Sequence, residues 1–268
     1  MRDLRQATQP SGVSGPGVAP YEPQAEARVA LKLALLVLGV LTVVKPLGSI
    51  PVLGTVLLTG AALLQLYLPL SRAQHFGRDY DFAGLHLKVW RQDLGVVLKL
   101  CALFFPPFIV GHHLYMTEAH VWATSLGLPE LARLLPHRAW GPMMPAGILG
   151  WLGSAGWLLQ VLATHLLGVA LPEETFYRGY LQPHLEVWWR PTRHVFGVPI
   201  GKAALLAALL FAAGHVLGEW NPLRLGPFFP ALVFAWQRNR TGSVVGAVTF
   251  HALCNTLGEV LFSLYRTA

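Results

Sequence analysis

Three groups of polar side chains lie inside otherwise apolar stretches of the sequence, where ionisable residues are costly and usually functional. In chain order, the groups are Glu173-Glu174-Thr-Phe-Tyr-Arg178, Phe211-Ala-Ala-Gly-His215 and His251-Ala-Leu-Cys-Asn255. A carboxylate in a pocket of low dielectric gains basicity, and histidine is the commonest general acid or base. The residue types therefore suit general acid–base chemistry on water or on a substrate.

Helical spacing separates the roles of the charged residues. Glu174 and Arg178 are four residues apart, so they share a helix face and can form an ion pair. Glu173 points about 100° away from Glu174 around the helix axis, because an α-helix has 3.6 residues per turn. It has no cation at helical spacing, which leaves its carboxylate free to act on water or on a substrate. His251 and Asn255 are also four residues apart and can point into one cavity.

Packing roles are expected for the aromatic residue of the second motif and for the cysteines. Phe211 shares a helix face with His215 and is expected to pack beside it. Cys101 and Cys254 lie in separate apolar stretches, so the sequence predicts no disulfide framework. Cys254 precedes Asn255 directly, but nothing in the sequence indicates that its thiolate is activated.

The composition requires that these residues be positioned inside a membrane protein. Hydrophobic residues make up 54% of the 268 residues and charged residues only 12%, whereas soluble domains carry about 25% charged residues. A soluble fold would have to expose large apolar patches, and a disordered chain would need low hydrophobicity. The net charge of +7 is attributed to basic residues at the cytoplasmic ends of helices rather than to nucleic-acid binding.

The sequence contains seven apolar runs, which predict an all-α polytopic membrane helix bundle. The expected number of transmembrane helices is about seven, within a range of six to eight. The runs cover residues 29–44, 49–70, 95–114, 147–171, 200–217, 226–236 and 242–265. Residues 1–28 are rich in Gly, Pro, Ser, Gln and Ala and are predicted to form a disordered tail. The remaining chain is divided into N-terminal membrane helices (29–146) and catalytic membrane helices (147–268).

The fourth helix must extend beyond its apolar run if the three motifs are to meet. A helix that ended at Leu171 would place Glu173 at the membrane surface, far from the depth of His215. We therefore predict that this helix continues to about residue 189, with Pro172 as a kink. Glu173, His215 and His251 then all fall in the middle of the bilayer.

The distribution of basic residues predicts the orientation. If the N-terminus lies inside, 15 of the 20 Lys and Arg residues lie in inner segments and 5 in outer segments. Cytoplasmic segments carry an excess of basic residues, so the N-terminus is expected in the cytoplasm and the C-terminus outside.

The three motifs resemble those of the CPBP family, which contains CAAX-type prenyl endopeptidases, bacteriocin-processing proteins and abortive-infection proteins. The family pattern is E-E-x-x-x-R, then F-x-x-x-H, then H-x-x-x-N, and all three motifs occur here in that order. The segment L-P-E-E-T-F-Y-R-G-Y-L-Q also has the family's Gly directly after Arg178. The resemblance covers about residues 147–261 and includes no motif from residues 1–140.

The resemblance implies a glutamic-type intramembrane endopeptidase. The catalytic residues that it implies are Glu173, His215, His251 and Asn255. Of these, Glu173 and His215 would activate a water molecule, and the other two would stabilise the oxyanion. The supporting residues are Glu174, Arg178 and Phe211. No cofactor is implied; zinc held by one Glu and two His is the alternative mechanism, although the sequence contains no H-E-x-x-H motif.

Two alternatives to a protease remain open: a small transporter that uses the buried ionisable residues as a relay, and a non-catalytic membrane scaffold. For a protease, the expected partners are a peptide or protein substrate in the membrane and the lipid bilayer, with no nucleic acid. The substrate would carry a CAAX-type tail, another C-terminal tail or a peptide precursor. The expected location is the bacterial inner membrane, because the chain is short and rich in Ala, Gly, Leu, Arg and Pro.

Overall fold

The computed structural model describes residues 19–141, 147–218 and 220–267 and shows a bundle of helices. In chain order the helices are α1 (Pro23–Val44), α2 (Leu53–His75), α3 (Trp90–Thr117), α4 (Ala119–Ser125), α5 (Pro129–Ala132), α6 (147–185), α7 (Lys202–Val216), α8 (Phe228–Thr241) and α9 (Val245–Ser263). Short antiparallel pairs join β1 (Arg138–Trp140) to β4 (Tyr265–Thr267), and β2 (Arg193–Val195) to β3 (Val198–Ile200). The predicted all-α polytopic bundle is confirmed.

Within the described ranges, five helical segments are long and apolar enough to cross a membrane. They are Pro23–Ser49, Leu53–His75, Trp90–Thr117, Gly150–Leu185 and Val245–Ser263. The predicted fifth and sixth spans instead form α7 with 15 residues and α8 with 14 residues. Helices of this length extend roughly 22 Å, less than the ~30 Å hydrocarbon core. The described ranges therefore contain five helices of full-span length, and the exact number of spans, expected as six to eight, stays a prediction.

The first helix begins earlier than its apolar run. Residues 23–28, predicted to belong to the disordered tail, form the first turns of α1, which starts at Pro23. Glu26 is only 2% exposed, because its carboxylate accepts hydrogen bonds from Arg72 Nε at 2.9 Å and from the Tyr180 hydroxyl at 2.5 Å. A hydropathy pattern cannot anticipate a charged residue that is buried by partners on other helices. Residues 1–18 of the predicted tail lie outside the described residues.

The helices alternate between two ends of the bundle. The N-terminal end contains residues 19–22, 76–88, 186–201 and 242–244. The C-terminal end contains residues 45–52, 118–141, 217–218, 220–226 and 264–267. At the N-terminal end, the Val244 amide donates to the Gly84 carbonyl oxygen at 2.9 Å. At the C-terminal end, strand β1 pairs with β4. Segments predicted to share one side of the membrane thus lie together, while the side that faces the cytoplasm stays a prediction.

The helix α6 is continuous but changes its hydrogen-bond register. In order, its segments are α-helical Gly147–Ala163, π-helical Thr164–Ala170, α-helical Leu171–Glu174, π-helical Thr175–Leu181 and α-helical Gln182–Leu185. Proline in a helix interior removes a hydrogen bond, and a local change of register accommodates that loss at Pro172. The prediction that this helix continues through the Glu pair is confirmed, although it ends at Leu185 rather than near residue 189.

Both predicted parts of the chain contribute to one hydrophobic core. This core includes residues of α1, α6 and α7, among them Ala30, Ala34, Val37, Phe176, Tyr180, Leu181, Ala207 and Phe211. The small residues of α1 allow its backbone to approach the aromatic face of α6. The division of the chain at residues 146 and 147 stays a prediction, and residues 142–146 lie outside the described ranges.

Candidate active site

The two adjacent glutamates lie on the short α-helical turn of α6 between its two π-helical segments. Every residue of the following segment, Thr175–Leu181, is buried. Within it, a Cβ atom on Gly179 would lie 2.2 Å from the Ala83 carbonyl oxygen. The close approach explains the Gly after Arg178 in the motif, because the connection between α2 and α3 packs directly on the backbone of α6 at this point.

Glu174 and Arg178 form the ion pair predicted from their spacing, and both side chains are 0% exposed. Arg178 Nη1 donates to Glu174 Oε1 at 3.0 Å, and Nη2 donates to the Ala231 carbonyl oxygen of α8 at 3.4 Å. His251 of α9 donates from Nδ1 to the same Glu174 Oε1 at 2.8 Å. Glu174 therefore connects α6 to α9, and the contacts of both charged groups offset part of the cost of removing them from water.

Aromatic rings enclose the charged pair. The guanidinium carbon of Arg178 lies 4.3 Å from the ring centroid of Phe211 and 5.3 Å from that of Phe234, within range of cation–π attraction. The His251 ring stacks on Phe234 with centroids 4.9 Å apart and an interplanar angle of 15°. Phe211 also packs beside His215, as predicted, with ring centroids 4.8 Å apart. No sequence pattern singles out Phe234, because its role arises from tertiary packing.

Glu173 has no ion pair with a Lys or Arg side chain in the described ranges, in keeping with its spacing. Its Oε2 atom is buried and accepts no hydrogen bond from any residue in those ranges, while the side chain as a whole is 19% exposed. His251 Nε2 lies 3.9 Å from this oxygen. A separation of this size is too long for a direct hydrogen bond, and a bridging water would satisfy the buried oxygen.

His215 has a fixed tautomer. Its Nδ1 lies 3.0 Å from the Phe211 carbonyl oxygen. Because a carbonyl oxygen only accepts, Nδ1 must carry the hydrogen, and Nε2 of the neutral ring is then a proton acceptor. Glu173 and His251 both lie within electrostatic reach of this ring. Among the described residues, His215 makes no direct hydrogen bond to Glu173.

Asn255 lies one turn after His251 on α9 and is partly exposed. Its side chain makes no hydrogen bond with a residue in the described ranges, so its amide is available to a bound group. The neighbouring Cys254 and Cys101 of α3 pack against the same hydrophobic cluster, and both are free thiols.

His251 lies between both carboxylates of the α6 turn. Its Nδ1 is 2.8 Å from Glu174 Oε1, and its Nε2 is 3.9 Å from Glu173 Oε2. In the neutral ring Nε2 would have no hydrogen, because Nδ1 donates to Glu174. Only the protonated ring can therefore donate from Nε2.

A zinc site would require one Glu and two His side chains at metal-ligand distances. In the part of the chain that the structure describes, no group of three or more His, Cys, Asp or Glu side chains is arranged to hold a metal ion. Metal dependence stays a prediction to be tested by metal analysis.

Comparison with protein families adds an independent finding. Residues 154–257 match the family model of Rce1-like type II CAAX prenyl endopeptidases. The matched segment contains all three motifs and ends two residues after Asn255. No curated protein and no solved structure matches the chain. The matched segment is therefore similar to the Rce1-like type II CAAX prenyl endopeptidases, in agreement with the CPBP resemblance of the motifs.

Proposed function

We propose that this protein is an intramembrane endopeptidase that hydrolyses a peptide bond in a membrane-associated substrate, with water activated by Glu173 and His215. The observation that carries the proposal is the Glu173 carboxylate, whose buried Oε2 has no hydrogen-bond partner in the described ranges and lies 3.9 Å from His251, with His215 close enough to interact electrostatically. The family of residues 154–257 supports peptide hydrolysis. The substrate is a CAAX-type tail, another C-terminal tail or a peptide precursor.

The first step is the activation of water. A water molecule donates one hydrogen bond to Glu173 Oε2 and another to His215 Nε2, since both atoms accept. Glu173 takes one proton as the water oxygen attacks the carbonyl carbon, which gives a tetrahedral intermediate. Return of this proton to the amide nitrogen allows the C–N bond to break and releases a carboxylic acid and an amine.

The second requirement is stabilisation of the negative oxygen of that intermediate. The Asn255 amide can donate to it without rearranging any hydrogen bond, because this side chain has no partner in the described ranges. His251 donates from Nε2 only as the protonated ring, because Nδ1 already donates to Glu174. Loss of one oxyanion donor costs about 10²–10³ in rate, and we expect a loss of this size for Asn255→Ala.

Comparison of C-terminal peptides across the whole proteome tests the activity while the substrate is still unidentified. Cells that lack the protein are complemented with the wild type, with Glu173→Gln, or with Glu130→Gln as a control. Glu130 is a suitable control because it lies in an exposed ion pair with Arg133, outside the site. We expect processed tails with the wild type and the control and none with Glu173→Gln. Equal processing by all three proteins would contradict the proposal.

Purified variants test the individual roles. Glu173→Gln, His215→Ala and His251→Ala should each abolish cleavage of a tail identified in that experiment, while the protein remains folded and inserted. Full activity of any folded variant would remove that residue from the mechanism. Movement of a solute by Glu173→Gln in proteoliposomes would instead favour the transporter alternative.

We further propose that the protein resides in a bacterial inner membrane with its N-terminal end in the cytoplasm. The excess of basic residues in the segments of this end supports the orientation. Labelling of single cysteines with a membrane-impermeant maleimide in intact cells tests it. Cysteine at Ser125, at the C-terminal end, should react from outside, and cysteine at Asp79, at the N-terminal end, should be protected.

A further inference from the structure

A second polar cluster connects α6 to α9 on the C-terminal side of the catalytic centre. His165 Nε2 lies 3.0 Å from Glu259 Oε2, and the side chains are 18% and 51% exposed. They border a cavity of about 200 Å³. The lining residues are Trp157, Gln160, Val161, Thr164, His165 and Glu259. Its volume suits a single side chain better than a whole small-molecule ligand, whose pockets are about 300–1,000 Å³.

The tautomer of His165 defines what this cavity can bind. A carboxylate only accepts hydrogen bonds, so Nε2 donates to Glu259 and Nδ1 of the neutral ring has no hydrogen. This Nδ1 atom is buried and has no hydrogen-bond partner among the described residues. The cavity therefore presents acceptors: one imidazole nitrogen and a carboxylate with a net negative charge. A group that carries N–H donors and a positive charge matches both features.

The position of Glu259 in a helix that can span a membrane also favours binding of a cation. Glu259 lies four residues before the end of α9, in a segment that is apolar enough to span a membrane. A half-exposed carboxylate at this depth is costly unless a cation or water neutralises it. Glu259 makes no ion pair with a Lys or Arg side chain in the part of the chain that the structure describes, so a basic group of a ligand can supply that charge.

The cluster lies in line with the catalytic residues. On α9, His251, Asn255 and Glu259 follow one another at intervals of four residues and share one face. The residue exposure rises along this row from 5% at His251 to an exposed Glu259. Eight residues of α-helix correspond to about 12 Å. An extended peptide covers that distance in roughly three to four residues.

We propose that the cavity formed by His165 and Glu259 is a specificity subsite that binds a lysine or arginine side chain of the substrate, three or four residues from the cleaved bond. The inference rests on the proposed function, since it assigns a substrate class to the same site. The basic side chain donates to Glu259 and to Nδ1 of His165, and its aliphatic part packs on Trp157 and Val161.

Cleavage of a positional peptide set tests the subsite. Internally quenched, N-acylated peptides differ only in the position of one Arg in an Ala and Leu background. We expect kcat/KM of the wild type to be about tenfold higher when Arg lies three or four residues from the cleaved bond than for the peptide without Arg. Glu259→Gln should remove this preference, Glu130→Gln should keep it, and Glu259→Lys should prefer Glu at that position.

A peptide-binding measurement on an inactive variant tests the subsite independently of the proposed peptidase activity. Fluorescence anisotropy compares the labelled Arg and Ala peptides on Glu173→Gln protein, with and without the additional Glu259→Gln change. Binding of the Arg peptide about tenfold more tightly, lost with Glu259→Gln, supports the subsite even if no peptide is cleaved. Equal binding of both peptides, or cleavage that ignores the position of Arg, overturns the subsite and leaves His165 and Glu259 as an interhelical hydrogen bond.

Discussion

Removal of either partner of the buried Glu174–Arg178 pair should destabilise the protein strongly. In Arg178→Met, the Glu174 carboxylate keeps only the His251 Nδ1 donor, and its Oε2 has no hydrogen-bond partner in the described ranges. In Glu174→Gln, the fully buried Arg178 guanidinium loses its carboxylate, although the amide oxygen can still accept a hydrogen bond from it. An uncompensated buried charge of this kind costs about 3–5 kcal/mol, and we expect a loss of this size for each single change.

The double variant Glu174→Gln/Arg178→Met distinguishes an ion pair from two independent residues. It removes both charges, so no unpaired charge remains at this position. Its loss of stability should be smaller than the sum of the two single losses, with a coupling energy of about 1–3 kcal/mol. The remaining loss reflects the contacts of Arg178 with the Ala231 carbonyl oxygen and the Phe211 ring.

Thermal unfolding in detergent micelles, followed by the fluorescence of the nine tryptophans, measures these differences. A loss of about 3–5 kcal/mol should lower the midpoint by roughly 10 °C in a chain of this size. Arg133→Met breaks the exposed pair with Glu130 and serves as a matched control with little expected change. A midpoint of Arg178→Met equal to that of the control, or strictly additive losses in the double variant, would refute the ion-pair argument.

Three further predictions concern packing, a polar network and metal. Gly179→Ala should prevent folding or sharply lower the yield, because its Cβ would lie 2.2 Å from the Ala83 carbonyl oxygen; a normal yield and melting profile would contradict this close approach. Tyr180→Phe removes a donor to Glu26, which also pairs with Arg72, and should cost about 1–3 kcal/mol in thermal unfolding; an unchanged midpoint would deny the hydrogen bond a stabilising role. Cleavage should resist prolonged treatment with a zinc chelator, and stoichiometric zinc with activity restored by zinc alone would favour the metal mechanism.

Local features of the site could be predicted from the sequence. The spacing of Glu174 and Arg178 predicts their ion pair, because residues four apart on a helix are neighbours. The requirement that three motifs meet at one depth predicts that α6 continues past Pro172. Both inferences need only helix geometry and the thickness of the bilayer.

Features that depend on the approach of distant segments could not be predicted. His251 donates to Glu174 across 77 positions of the chain, and no periodic pattern relates these two residues. Glu26 looked like part of a polar tail because its partners, Arg72 and Tyr180, lie on other helices. The predicted fifth and sixth spans form helices shorter than a full span, because hydropathy marks apolar segments without showing where the helices α7 and α8 end.

Because Glu174 and Arg178 lie on the same helix, their ion pair can form while the protein is still being synthesised. Ribosomes complete α6 before residues 211–255 exist, so the helix meets the membrane without Phe211, Phe234 or His251. Each unpaired charge at the centre of a helix opposes insertion by about 2.5–3.5 kcal/mol. Because Arg178 finds its carboxylate within the same helix, the newly made segment can neutralise two of its three charges before any later helix arrives. The order of translation thus favours placing this cation beside the glutamate rather than on another helix.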